Sequence, residues 1–100
     1  HAFVAGGVGG VAAAVSVQLR KSAPGCRLVV AEPDRAACLL ESAKAGALTA
    51  VGGELDTVMA GLACGEPSLL AWQELERAAF AFMAVPDAGV GDAMRRLKAQ

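Results

Sequence analysis

No tyrosine occurs in the sequence, and three phenylalanines and one tryptophan supply all of its aromatic side chains. A core made from such a chain must close through the near approach of small residues, chiefly alanine and glycine. Neither sign of charge is in excess: nine Lys and Arg against ten Asp and Glu leave a net charge of -1, with the two signs interspersed. That balance gives no electrostatic footprint for nucleic acid or for an anionic membrane surface, so neither is expected as a partner. Long apolar runs are missing too, because Gly, Pro or a charge interrupts every stretch before the roughly 18 residues a membrane span needs. No basic segment followed by a cleavage-site pattern marks a signal peptide. The one histidine is His1, and the three cysteines, Cys26, Cys38 and Cys64, are an odd number at spacings that match no zinc pattern. No metal site is expected. The cysteines read as reduced thiols in a cytoplasmic protein, packing as small apolar side chains. The chain opens at His1, without Met and already inside a strand-like run, as a piece of a longer protein would.

What is present is apolar, at 55% hydrophobic and 19% charged residues, enough for one small core and one domain over residues 1–100. Ala2-Phe3-Val4 reads as a strand, and Gly6-Gly7-Val8-Gly9-Gly10 as a tight turn into a helix. In that helix Val11, Val15 and Leu19 recur at four-residue spacing, and Arg20-Lys21 close it. After the breaker Ser22-Ala23-Pro24-Gly25, the run Leu28-Val29-Val30-Ala31 has no polar alternation, as expected of a parallel strand covered on both faces. Glu32-Pro33-Asp34 is expected to end this strand and start the next helix, with Ala36, Leu39, Leu40 and Ala43 inside and Gly46 as C-cap. Leu48 to Val51 is compatible with a short strand or an extended connection, and Asp56 to Gly61 with a short helix. Ser68 caps a helix with Leu69, Trp72, Leu75 and Ala79 at helical spacing, Phe80 to Val85 forms a further strand, and Asp87 opens a last helix with Val90, Met94 and Leu97 inside. Strands alternating with helices predict a three-layer α/β domain with a mostly parallel sheet. Ligands of such sheets sit at the carboxyl ends of the strands, where the glycine stretch lies.

Glycines at a strand-to-helix turn permit positive φ and bring backbone N–H groups close to a ligand, and the first turn of the helix adds unpaired amides and the positive end of its dipole. The natural occupant is a phosphate or another anion. The same residues fit three readings. Gly7-x-Gly9-x-x-Ala12 with Glu32 at the end of the second strand matches the dinucleotide fingerprint, with Glu32 on the adenosine ribose. A phosphate cup for a smaller cofactor such as pyridoxal phosphate needs the glycines and no ribose acid. A turn that binds nothing, with Glu32 merely favourable beside a helix start, is the third.

Longer segments bear on the choice. Val30-Ala31-Glu32-Pro33-Asp34-Arg35-Ala36-Ala37-Cys38, and above all Asp56-Thr57-Val58-Met59-Ala60-Gly61-Leu62-Ala63-Cys64-Gly65-Glu66-Pro67-Ser68 with Ala71-Trp72, closely resemble diaminopropionate ammonia-lyase. That family is pyridoxal-phosphate-dependent and shares the fold type of threonine dehydratase and cysteine synthase. The resemblance runs along essentially the whole chain to Met94-Arg95-Arg96-Leu97; Ala5 departs from it, standing where the family usually carries Gln.

The resemblance implies elimination of the β-amino group of 2,3-diaminopropionate, a small amino acid, to give pyruvate and ammonia. It also implies that the backbone of Gly6, Gly7, Val8, Gly9 and Gly10 holds the cofactor phosphate. It places Cys38 and Cys64 in two family-like motifs, as a pair able to form a disulfide if they are not both reduced. Lys21, Lys44 and Lys98 each fall at the C-terminal end of an expected helix, away from the strand carboxyl ends. By the resemblance, the lysine that forms the Schiff base lies outside the matched part, so this chain alone is expected to be inactive. Exposed sheet edges and apolar faces predict self-association, hence a homo-oligomer.

Overall fold

The computed structural model describes residues 1–52 and 57–99. Three strands, β1 (Ala2–Ala5), β2 (Leu28–Pro33) and β3 (Ala81–Val85), form one parallel sheet in the order β1-β2-β3. Phe3 pairs with Val29 and Val4 with Val30 on one side of β2, and Val30 pairs with Phe82 and Pro33 with Val85 on the other. Among the described residues four α-helices, α1 (Gly10–Ser22), α2 (Cys38–Ala45), α3 (Leu69–Ala78) and α4 (Val90–Ala99), are interspersed with the strands, α2 and α3 both between β2 and β3, so the α/β class and the parallel sheet stand as the sequence predicts.

β2 is central and nearly all buried, which is why it shows no polar alternation. Leu28 and Val30 on one of its faces meet Ala12 of α1, Cys38 and Leu39 of α2, and Trp72 and Leu75 of α3 in a single cluster. Alanine at position 12 lets α1 approach closely. At the surface of that seam, Glu74 of α3 accepts hydrogen bonds from Ser16 Oγ (2.8 Å), Arg20 Nη2 (2.7 Å) and Arg20 Nε (3.1 Å). These bonds fix the rotation of α1 against α3.

Several expectations are corrected in detail. Glu32-Pro33-Asp34 does end the second strand, whose ladder runs through Pro33, but it does not start α2: a 3₁₀ turn covers Asp34–Ala36, and α2 begins only at Cys38. Its buried face is accordingly Cys38, Leu39 and Ser42, with Leu40 half-buried and Ala43 exposed. Gly46 caps it as predicted, at φ 72°. Of the two readings left open for Leu48 to Val51, the connection without a strand is the one observed. The expected helix from Asp56 to Gly61 is a 3₁₀ turn at Ala60–Leu62, and Asp56 itself lies outside the described residues. Ser68 does cap α3, its Oγ accepting from Ala71 N, but Leu69 is exposed and Ala71 takes its place inside. In α4, Met94 and Leu97 are 66% and 71% exposed, because no described element covers that face. Phe3 and Met83, which share a face of the sheet with Val29 and Ala31, are exposed as well.

Candidate functional site

The glycine stretch leaves β1 and enters α1 at the carboxyl end of the sheet. Gly6 N continues the ladder by donating to Ala31 O at 2.8 Å, and Gly9, at φ 106°, is the N-cap of α1. Only glycine suits position 9. Its φ lies where L side chains are strained, and a Cβ there would sit 3.0 Å from Ala71 Cβ and 3.4 Å from Leu75 Cδ1. Gly7, at φ 61°, has room for a Cβ but needs the same left-handed backbone.

Three carbonyls of the turn already accept hydrogen bonds. Gly6 O accepts from Gly9 N (3.0 Å), Gly7 O from the Cys38 thiol (Sγ to O 3.5 Å), and Val8 O from Ser68 N (2.8 Å). In a trans peptide the carbonyl and the following N–H point in opposite directions. Gly7 N–H and Val8 N–H therefore face away from these partners, and Gly10 N–H faces away from Ala13 N, which holds Gly9 O. The amides of Gly7, Val8, Gly10 and Val11 have no partner among the described residues. They border a cavity of about 330 Å³ lined by residues 5–11 together with Gly61, Leu62 and Cys64. Among the described residues no charged side chain lines it, and their field at the site comes from amide dipoles and the α1 N-terminus. Donors without partners and a wall of glycines, with no carboxylate aimed inward among the described residues, fit an anion of phosphate size. Of the five predicted residues, Gly7, Val8 and Gly10 offer free amides, whereas Gly6 and Gly9 spend theirs on the turn and contribute its shape.

Gly61 and Leu62 of the 3₁₀ turn at Ala60–Leu62, with Cys64 just after it, supply the opposite wall, which the composition of the glycine stretch gives no sign of; the signal was the Met59 to Ser68 run. Its start is tied to the end of β3, where the Asp87 carboxylate accepts from Thr57 Oγ1 and from Val58 N (2.8 Å). These bonds hold the Asp87 carboxyl below its ordinary range, the Thr57 hydroxyl foremost.

Glu32 does not face this cavity as a ribose ligand would. It is 1% exposed, and its Oε1 and Oε2 accept from Leu39 N and Leu40 N, both at 2.9 Å, so that it caps α2 from six residues upstream of the helix. Burial pushes its carboxyl above the usual value against the downward pull of those two amides, and Glu41 adds to the rise. Gly7, Gly9 and Ala12 are thus present without the acid, and the arrangement does not support the dinucleotide reading.

Cys38 and Cys64 are not bridged; all three cysteines are free thiols. Burial, then Glu32, pushes the fully buried Cys38 thiol up to about 11, so it stays protonated and able to donate to Gly7 O at neutral pH. Lys21 ends α1, Lys44 pairs with Glu41 at 3.5 Å and Lys98 lies in the last turn of α4; none of them lines the cavity. Among the described residues no group of His, Cys, Asp and Glu is placed to hold a metal, and no helix is long and apolar enough to cross a membrane. A larger groove of about 410 Å³ lies between α1 and α3, but its carboxylate, Glu74, is already committed to Ser16 and Arg20.

Residues 1–100 match the family described as pyridoxal-phosphate dependent enzyme. The chain is 37% identical over 99 residues to diaminopropionate ammonia-lyase of Escherichia coli K12, an alignment covering 97% of this chain and 25% of the relative. The crystal structure of the Escherichia coli enzyme in complex with D-serine superposes with a TM-score of 0.76 at 33% identity, over 88% of this chain and 22% of that one. The processed form of threonine deaminase isoform 2 from Solanum lycopersicum gives a TM-score of 0.90 over 96% of this chain and 28% of that one; at 22% identity it shows the fold alone. The chain spans about a quarter of the length of the curated relatives it matches.

Proposed function

The chain belongs to the pyridoxal-phosphate-dependent enzyme family, and we propose that it is the phosphate-holding part of a diaminopropionate ammonia-lyase. The observation that carries this is the set of free amides at Gly7, Val8, Gly10 and Val11 around a cavity at the strand carboxyl ends. They lie in a chain whose relatives at 37% identity are diaminopropionate ammonia-lyases. Those amides bind and orient the cofactor phosphate, and Gly6 and Gly9 give the cup its form. When bound, the cofactor serves as an electron sink for a carbanion at the α-carbon of an amino acid, here 2,3-diaminopropionate, which loses its β-amino group to give pyruvate and ammonia. Residues 1–100 are one domain of a longer polypeptide, and the lysine that bonds the cofactor is supplied from outside them. The exposed Phe3, Met83, Met94 and Leu97 agree with burial against further protein, including a second copy.

Thermal unfolding with added ligands tests the reading. A ligand that binds only the folded state raises stability once its concentration passes Kd, by about 2.7 kcal/mol at a hundredfold excess over Kd. Pyridoxal phosphate, and inorganic phosphate at higher concentration, are expected to raise the Tm, while NAD leaves it unchanged and no pyruvate forms from 2,3-diaminopropionate. A Tm rise with NAD but not with phosphate would overturn the proposal; pyruvate formed by the chain alone would refute its inactivity.

A further inference from the structure

Glu32 and Cys38 are buried polar groups that binding the phosphate does not itself require, yet both lie against the underside of the glycine turn. Glu32 Cγ is 2.7 Å from the point where a Gly6 Cβ would stand, and its carboxylate Oε1 is 3.2 Å from the same point, so Gly6 rests directly on this side chain. The carboxylate also fixes the first turn of α2 through Leu39 N and Leu40 N. That turn meets the loop twice more: the Cys38 thiol donates to Gly7 O, and Leu39 Cδ2 lies 3.6 Å from the Cβ position of Gly9. One buried carboxylate thus supports the loop at Gly6 by contact, and at Gly7 and Gly9 through the helix turn it caps.

We propose that Glu32 is a positioning residue for the anion cup: by joining the α2 N-terminus to the underside of the glycine turn, it holds the amides of Gly7 and Val8 in their binding orientation. This rests on the phosphate-holding reading above. The direction of the Val8 amide is set by what holds the Gly7 carbonyl, and that partner, Cys38, is the first residue of the turn Glu32 caps. A supporting group that fixes the orientation of ligating groups contributes to affinity without touching the ligand.

The test compares wild type, Glu32→Gln and Glu32→Ala in titrations with inorganic phosphate and with pyridoxal phosphate, well below each protein's Tm. Gln keeps the length and one acceptor oxygen but turns an NH₂ group toward an amide that needs an acceptor; Ala removes both acceptors. Wild type is expected to bind both ligands, with Kd about tenfold weaker in Glu32→Ala and an intermediate value in Glu32→Gln. A residue serving stability alone would lower the Tm and leave the Kd of the folded protein unchanged, and that result would overturn the proposal. If wild type binds neither ligand, the phosphate reading falls and this inference with it; if wild type binds and the variants bind equally well, only the inference falls. Should the variants not fold, hydrogen exchange on wild type decides. Coupling is reciprocal, so saturating phosphate must slow exchange at the Leu39 and Leu40 amides while leaving the Leu97 amide of the exposed helix α4 unchanged; no slowing at Leu39 and Leu40 would contradict the proposal.

Discussion

Gly9→Ala is expected to destabilise the protein by about 3 kcal/mol and to abolish phosphate binding. Two costs add. At φ 106° an L side chain is strained, by about 1–2 kcal/mol. The new methyl group would also stand 3.0 Å from Ala71 Cβ and 3.4 Å from Leu75 Cδ1, in a packed core where overfilling costs about 1–3 kcal/mol. Neither neighbour can withdraw, because Ala71 and Leu75 are on the buried face of α3. For a domain of this size the sum lowers Tm by roughly 12–24 °C. The effect on binding is separate: relief of the clash moves the start of α1, and the Gly10 and Val11 amides move with it. Gly10→Ala is the control. Gly10 has nothing within 4 Å of its Cβ position and lies in the first turn of a right-handed helix, so stability should hold or rise by about 0.5 kcal/mol. Thermal unfolding of both variants checks this; equal losses would mean that the turn is not built as described.

Leu75→Ala carries the second large effect, a loss of about 3–4 kcal/mol. Leu75 is fully buried, and it belongs to the cluster in which α3 meets Ala12, Leu28, Val30 and Leu39. Its neighbours Leu28, Val30, Leu39 and Trp72 are themselves buried and held in place, so they collapse only partly into the space left behind. A domain holding about 5–15 kcal/mol in total comes close to unfolding. Denaturant titration measures the loss, and a value under about 1 kcal/mol would show the site refilling.

The parts of the fold legible in the sequence were those where local chemistry and packing agree. β1, the glycine turn and β2 follow from apolar runs and their glycines, and Gly46 and Ser68 cap helices as their residue types predict; α1 lies where expected, but it buries Ala12 and Ser16 and leaves Val11 of the four-residue repeat exposed. Disagreement begins at Glu32-Pro33-Asp34. Proline beside an acid is an ordinary helix start, but here the ladder to Val85 continues through Pro33, and the acid reaches forward to cap a helix that begins six residues later. No local pattern encodes that reach. Met94 and Leu97 fall at helical spacing, yet spacing says only that a face is apolar, and nothing described lies against it. At the candidate site the glycines were readable from their positions, whereas the split between Gly7, Val8 and Gly10 with free amides and Gly6 and Gly9 as shape depends on a hydrogen bond accepted by Ala31 O and on those donated by Cys38 and Ser68. Those partners are 25, 31 and 60 residues or so away along the chain, beyond the reach of any motif.

The most direct test of the phosphate cup is a map of backbone amide shifts by ¹H–¹⁵N NMR as inorganic phosphate is added to the wild-type chain. The account predicts that the saturable shifts are largest at Gly7, Val8, Gly10 and Val11, whose N–H groups are free, and smaller at Gly6 and Gly9, whose N–H groups already donate to Ala31 O and Gly6 O. Saturable shifts confined to Arg and Lys side chains on the outer surface, with the glycine turn unmoved, would contradict it.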